Sequence, residues 1–232
     1  MNTATIGQHL QEAFDRCRNM DGPINDRLAA YADALSKINP EFADAVQRLI
    51  DHLQQNGCGE KAPKPGDLMP SFALPDHTGQ IVTLESLLKG GPAVIIFQRG
   101  HWCPFCRINL AAIQQNIDAI RRAKGQIVAI TPDRQEFSIA FKTDSLAQFP
   151  ILTDLDNGYA LSLNLAIWVG RELERMMGER GRNLPDFQGN DGWLLPIPAT
   201  FVVGQDSIIM RRYVDPDFRR RMDIDDLLGA LV

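Results

Sequence analysis

Apolar residues recur at helical spacing through the first part of the chain. Ile6, Leu10, Ala13, Phe14 and Cys17 form one stripe, which Asp21-Gly22-Pro23 ends. Ile24, Leu28, Tyr31, Leu35 and Ile38 form a second, closed by Asn39-Pro40, and Phe42, Ala45, Val46, Leu49, Ile50 and Leu53 form a third. Three short amphipathic helices cannot bury their stripes alone. They must pack on one another, on the rest of the chain or on a second copy, so a homodimer through these helices is one expectation. The pattern divides the chain into a helical extension over 1–56, a linker over 57–66 that is rich in Gly, Pro and charge, and a main domain over 67–232. Cys17 falls on a stripe and reads as core, whereas Cys58, between two glycines of the linker, reads as an exposed and mobile thiol.

In the main domain the period shortens. Phe72 to Leu84 carries two short apolar runs around Thr78-Gly79, a hairpin pattern, and Leu84 to Lys89 a short helix before Gly90-Gly91-Pro92. Ala93 to Phe97 and Ile127 to Ile130 are apolar throughout, as strands buried on both faces are. Between them, Cys106, Leu110, Ile113, Ile117 and Ile120 line one helix face. Helix over Asp133 to Lys142, strand over Phe149 to Thr153 and helix over Gly158 to Leu165 continue the alternation, which predicts a mostly parallel sheet covered on both sides. Ala199 to Val203 and Ser207 to Val214 predict an antiparallel hairpin, and Asp217 to Leu231 a closing amphipathic helix. The arginines at 211, 212 and 219–221 read as solvated or paired with Asp215, Asp217, Asp223 and Asp225.

Composition narrows the class. The 232 residues are 44% hydrophobic, enough for a packed core, and the net charge of −5 gives no footprint for nucleic acid. No apolar run approaches a membrane span or a leader peptide, so a cytoplasmic protein is expected. In that compartment a cysteine pair is reduced at rest, and a disulfide in it would be a catalytic intermediate.

The chemistry concentrates in Arg99 to Leu110, RGHWCPFCRINL. Pro104 suits a first helical turn, which sets Cys103 at the helix tip and Cys106 one turn in. Orphan N–H groups and the helix dipole favour a thiolate at the tip, and such a site brings a thiol pKa of about 8.5 to roughly 7 or below. Cys103 is then a nucleophile and Cys106, shielded beneath it, the partner that closes a disulfide. Two other readings stand beside this one: half of a zinc site, for which the nearby His101 is a further ligand candidate, and two inert core thiols.

KPGDLMPSFALPDHTGQIVTL, AVIIFQRGHWCPFC and PATFVV, in that order, resemble the thioredoxin-like superfamily in its peroxiredoxin branch, the alkyl hydroperoxide reductase/thiol-specific antioxidant group. The resemblance covers the chain from about Pro65 onward and implies a thioredoxin-like α/β fold, a central mixed sheet flanked by helices. It also implies cysteine-dependent redox enzymology with no cofactor beyond the cysteine pair. Trp102 stands where thioredoxins carry a Trp before the first cysteine, and Pro198 where they carry a proline, cis there, facing the cysteines. Peroxiredoxins instead carry P-x-x-x-[TS]-x-x-C and a distant arginine. With Cys106 as the reactive cysteine, Arg99 and Cys103 hold the Pro and Thr places; with Cys103, Ile96 and Gly100 hold them.

Disulfide exchange needs a thiolate, a resolving thiol and a groove for the partner chain, which Cys103, Cys106 and the backbone beside Pro198 offer. Peroxide reduction also needs donors and a cation at the leaving oxygen, for which Arg99, Arg107, His101 or a loop arginine are candidates. The leading expectation is exchange through Cys103 with Cys106 resolving. The alternatives are a thiol peroxidase using Cys106 or Cys103, and a non-catalytic assembly protein with a structural or metal-binding pair. The substrate would be a disulfide or a hydroperoxide, and the reductant a thiol such as thioredoxin or glutathione. Ala166 to Pro196, with Trp168, Met176, Met177, Trp193 and four arginines, is either a lid beside Cys103 or, more simply, a surface helix and loop over the sheet.

Overall fold

Each apolar stripe of the extension becomes one helix in the computed structural model, which describes residues 3–231: α1 (Thr3–Arg18), α2 (Ile24–Ile38) and α3 (Pro40–Gln55). Asn39 caps α3 by accepting a 3.4 Å hydrogen bond from the Phe42 N–H, and Pro40 occupies the first turn, where a missing N–H is harmless. After the linker, β1 (Ala73–Pro75) and β2 (Ile81–Thr83) pair antiparallel around a turn in which Asp76 accepts from the backbone of Thr78 and Gln80. A Thr83/Ser86 capping box starts α4 (Leu84–Leu88).

The alternation that follows is β3 (Ala93–Phe97), α5 (Pro104–Gln115), α6 (Ile117–Arg122), β4 (Gln126–Thr131), α7 (Gln135–Ser145), β5 (Ile151–Thr153) and α8 (Gly158–Ser162). Then come β6 (Ala166–Trp168), α9 (Gly170–Gly178), α10 (Leu184–Gln188), β7 (Leu194–Pro196), β8 (Ala199–Val203), β9 (Ile209–Val214) and α11 (Ile224–Gly229). The central sheet has the order β5-β4-β3-β8-β9. β3, β4 and β5 run parallel, and β8 and β9 add antiparallel partners on the other side of β3, so the sheet is mixed, as the family resemblance implies.

Alternation along the strands divides the core into two. Val94, Ile96, Ala129, Ile151 and Val202 face α5 and the N-terminal helices. Ile95, Phe97, Val128, Leu152 and Phe201 face α4 and α8 on the opposite side. The N-terminal stripes are thus buried within one chain, against the helix that carries the cysteines, and their burial does not call for a second copy. Aromatic edges mark the path: Phe14 meets Tyr31 at 6.5 Å between centroids, Tyr31 meets Phe105 at 5.1 Å, and Phe105 meets Phe218 at 5.5 Å. The buried Arg27 of α2 ties the layer together, donating to the Cys17 carbonyl at 3.2 Å, to Gln115 Oε1 at 2.8 Å and to the Arg18 carbonyl.

Four expectations change. The helix after the cysteines breaks at Asn116, whose side chain donates 2.9 Å back to the Ala112 carbonyl, so the apolar face is shared by α5 and α6. Cys58 is half-buried against the second core and its N–H bonds the Leu53 carbonyl; the linker lies on β9, with Val214 2.8 Å from where a Cβ on Gly59 would stand. A mobile thiol does not describe it. Ala166 to Pro196 folds as α9 and α10 enclosed by the antiparallel pair β6 and β7. Lastly, the closing helix is only Ile224–Gly229. Asp215 accepts from the Asp217 N–H at 2.8 Å and Asp217 from the Arg219 N–H at 3.1 Å, local bonds that compete with helix and leave 217–223 irregular.

Leu28, fully buried where α2 meets α1 and α5, tests this packing. Leu28→Ala should cost about 2–5 kcal/mol in urea denaturation of the whole chain. A loss below about 1 kcal/mol would mean that the extension is not part of the core.

Candidate active site

The sheet delivers the loop that carries the chemistry. β3 ends at Phe97, the loop 98–103 crosses its carboxyl end, and α5 begins at Pro104 with Cys103 as its N-cap. Gly100, at φ +140°, lies where a Cβ would come 2.7 Å from Asp133 Oδ1 and 2.5 Å from Trp102 Nε1, so only glycine fits. Asp133, just past β4, accepts a 2.6 Å hydrogen bond from the His101 N–H and thereby holds the loop from below. Burial pushes the Asp133 carboxyl up to about 7.

Cys103 is 1% exposed and Cys106 0%. Helix dipole and orphan N–H groups reach Cys103 as its position at the tip implies, but the extension covers it, so the tip is buried and not open to solvent. Burial raises a thiol. At Cys103 this is outweighed by a hydrogen bond from the Cys106 thiol, by the charges of Arg99 and Arg221 and by the Cys106 N–H, which together hold the Cys103 thiol well below its ordinary value. Burial, the hydrogen bond it gives to Cys103 and the Cys103 charge push Cys106 up. The two thiols lie within hydrogen-bonding reach of each other, one primed as thiolate and the other as thiol.

Both cations are buried. Arg99 is 5% exposed, hydrogen-bonds the Cys103 sulfur and lies over Phe218 at 3.7 Å and Trp102 at 5.1 Å from the ring centroids. Arg221 is 3% exposed and donates to Cys106 Sγ at 3.5 Å, while its other terminal nitrogen holds the carbonyls of Phe218 and Arg220. Its Nε is buried with no partner among the described residues. The Arg99 N–H also points to Cys106 Sγ, at 3.4 Å.

Trp102, Pro104, Arg99, Cys103 and Cys106 therefore gather at one point. Arg107 and His101 do not: both turn to Asp144, Arg107 through a 2.5 Å ion pair and His101 at 3.7 Å, and Arg107 also covers the Phe14 ring at 4.2 Å. Pro198 is buried before β8, next to the end of β3, but is not among the residues lining the space above Cys103, and no peptide bond among the described residues is cis. A trans Ile197–Pro198 bond replaces the cis geometry that thioredoxins imply. No group of three or more His, Cys, Asp or Glu among the described residues is placed to hold a metal.

Three participants escaped sequence reasoning. Arg221 reads as one of a solvated run, yet the 215–223 turn draws it inward; Asp215-Pro216 was the available turn signal. Phe218 follows the same turn. Asp133 carries no local signature, since its role depends on β4 ending beside the cysteine loop.

A mixed sheet of this topology, with a buried, cation-flanked cysteine pair at a helix N-terminus, defines a thioredoxin-like fold. The sequence model of the AhpC/TSA family matches residues 65–212, and the chain belongs to that family. It is similar to peroxiredoxin Bcp of Escherichia coli, with 29% identity over 94 residues, 40% of this chain and 60% of the relative. It is also similar to the chloroplastic peroxiredoxin Q of Sedum lineare, with 30% identity over 105 residues, 45% of this chain and 55% of the relative. The chain thus matches less than two thirds of the length of these relatives. Among solved structures, peroxidoxin BcpB from Mycobacterium tuberculosis superposes with a TM-score of 0.56 at 22% identity, covering 72% of this chain and 96% of that one. Mycobacterium tuberculosis AhpC gives 0.54 at 15%, covering 73% and 92%. Helices α1 to α3 and Arg221 lie outside the family match.

Asp133 sets a pH dependence. Its folded pKa of about 7 lies above the unfolded value, so the folded state holds a proton that the unfolded state has released, and stability falls as pH rises between about 4 and 7. Asp133→Asn should therefore stabilise the protein more at about pH 8 than at about pH 5 in urea denaturation. An equal effect at both would show that the carboxyl is already ionised in the fold.

Proposed function

We propose that this protein is a thiol peroxidase in which Cys103 is the attacking cysteine and Cys106 resolves it. The observation that carries the reading is the pair of buried guanidinium groups, Arg99 on the Cys103 sulfur and Arg221 on Cys106, around a nearly inaccessible thiolate. Cations and N–H donors held in a water-poor site stabilise charge that develops on a leaving oxygen far better than water does. A hydroperoxide enters such a site; a protein disulfide, which must lay its backbone beside the attacking sulfur, meets α1 to α3 first. This weighs against the disulfide exchange that the dithiol motif alone favours. Membership of the AhpC/TSA family and the peroxiredoxin relatives support the same direction.

The Cys103 thiolate attacks the outer oxygen of ROOH. An S–O bond forms as the O–O bond breaks, the RO⁻ group leaves against Arg99, which lines the space above Cys103, and it takes from water the proton that Cys103 gave up on ionising, to become ROH. Cys103 is now a sulfenic acid. The Cys106 sulfur attacks it, water leaves with the Cys106 proton, and the Cys103–Cys106 disulfide has taken up the oxidising equivalent of the peroxide. A two-electron thiol reductant, thioredoxin or glutathione by chemistry, restores the dithiol. Because Cys106 is buried directly beneath Cys103, resolution needs no large rearrangement of α5.

Stopped-flow tryptophan fluorescence tests this, since Trp102 adjoins Cys103 and stacks on Arg99. Hydrogen peroxide should oxidise the reduced protein far faster than it oxidises a free thiolate; a rate equal to the free thiolate's would refute the peroxidase reading. Cys103→Ser should abolish the reaction. Cys106→Ser should retain the first oxidation but accumulate a sulfenic acid that dimedone traps. Arg99→Gln should slow the oxidation by about 10²-fold, the scale of losing one preorganised donor. Labelling by iodoacetamide at mildly acid pH should find Cys103 first in the wild type, and should shift to higher pH in Arg99→Gln as the thiol pKa rises.

A further inference from the structure

Reduction of hydrogen peroxide needs room for a small molecule only, yet Cys103 opens into a cavity of about 300 Å³. That space suits an organic molecule. Much of its wall is apolar: Leu10, Leu35, Phe42 and Val46 from α1 to α3 and Leu173 and Met177 from α9 face it, beside Trp102 and Phe218 near the cysteines. The first set belongs to helices that the family match does not include, so this part of the site lies outside the matched scaffold.

The cavity is also positively charged, in a chain whose net charge is −5. Arg180 and Arg182, in the turn after α9, line it together with Arg99. Arg180 lies 5.4 Å from the Phe42 centroid and donates to the Met176 carbonyl at 2.7 Å. Neither Arg180 nor Arg182 forms an ion pair with a carboxylate among the described residues, and the same is true of Arg99 and Arg221. The one acid on the wall, Glu179, is paired with Arg175 at 2.9 Å. Arg99 and Arg221 face the thiols. Arg180 and Arg182 are left as unpaired cations beside an apolar chamber.

We propose that the cavity takes a hydroperoxide carried on an apolar chain or ring that ends in a carboxylate. The apolar part lies against α1 to α3 and α9, Arg180 and Arg182 hold the carboxylate, and the hydroperoxide group reaches Cys103. The substrate class rests on the peroxidase reading, whereas the binding site can be tested without it. The Ala166 to Pro196 segment then acts as the specificity element beside Cys103.

Decanoate, methyl decanoate and decylammonium are the probes, none of them reactive. Binding is read by Trp102 fluorescence and by protection of Cys103 from iodoacetamide in the full-length protein. Decanoate should bind at least about tenfold more tightly than the ester, the scale of a charge-assisted contact, and decylammonium more weakly than either. Replacing both arginines, Arg180→Gln with Arg182→Gln, should bring acid and ester to near-equal affinity. Equal affinity in the wild type, or no protection by decanoate, overturns the proposal, and that comparison stands even if the double variant fails to fold. If decanoate protects Cys103 while no hydroperoxide oxidises it faster than a free thiolate, the peroxidase reading falls and the carboxylate site stands. The converse result removes the site and leaves the peroxidase.

Discussion

Two buried arginines and two buried thiols solve each other's problem. A guanidinium withdrawn from water without a counter-charge is costly, and so is a thiolate. Arg99 and Arg221 have no carboxylate partner among the described residues, and Cys103 gains from both of them together with its hydrogen bond from Cys106. Ionisation of one thiol thus lowers the cost of burying two cations. The proton remains on Cys106, whose pKa moves the opposite way for the same reason. The rest of the site depends on this exchange of charge, because it holds a low-pKa thiol in a place that solvent barely reaches.

The fold supplies the four groups from separate parts of the chain. β3 and the 98–103 loop bring Arg99 and Cys103, the first turn of α5 brings Cys106, and the irregular 217–223 segment brings Arg221 and the Phe218 ring that Arg99 covers. Asp133 fixes the loop through the His101 N–H, and Gly100 permits the close approach. Arg107 and the His101 imidazole, the other basic residues of the motif, turn to Asp144, where Arg18 of α1 joins them. One arginine of the motif therefore works on the thiolate and the other anchors the extension.

The extension changes what the fold can do. In an open thioredoxin-like site the first cysteine would lie at the surface, whereas here α1 to α3 occupy the approach and make Cys103 part of the wall of a cavity. Family membership, shown over residues 65–212, describes the scaffold and the cysteine loop. Access to that loop is shared between α9 and the turn after it, inside the match, and α1 to α3, outside it.

Much of this was legible in the residues. Periodicity marked the three N-terminal helices, the apolar runs marked the buried strands, and Cys103-Pro104-Phe105-Cys106 placed a cysteine at a helix tip, because these features depend on neighbours within a few positions. Arg221, Phe218, Asp133 and the roof of the cavity were not legible. Arg221 stands 115 residues from Cys106, and its inward turn rests on hydrogen bonds that the Asp215 and Asp217 carboxylates accept from the backbone, which override an apolar pattern resembling helix. The stripes of α1 to α3 required burial but did not say against what. By itself the sequence determined which elements form and which residues can react, since those follow from local spacing and side-chain chemistry. Only the tertiary structure decided which cations meet the thiols and what can reach them, since those follow from distant segments competing for the same buried space.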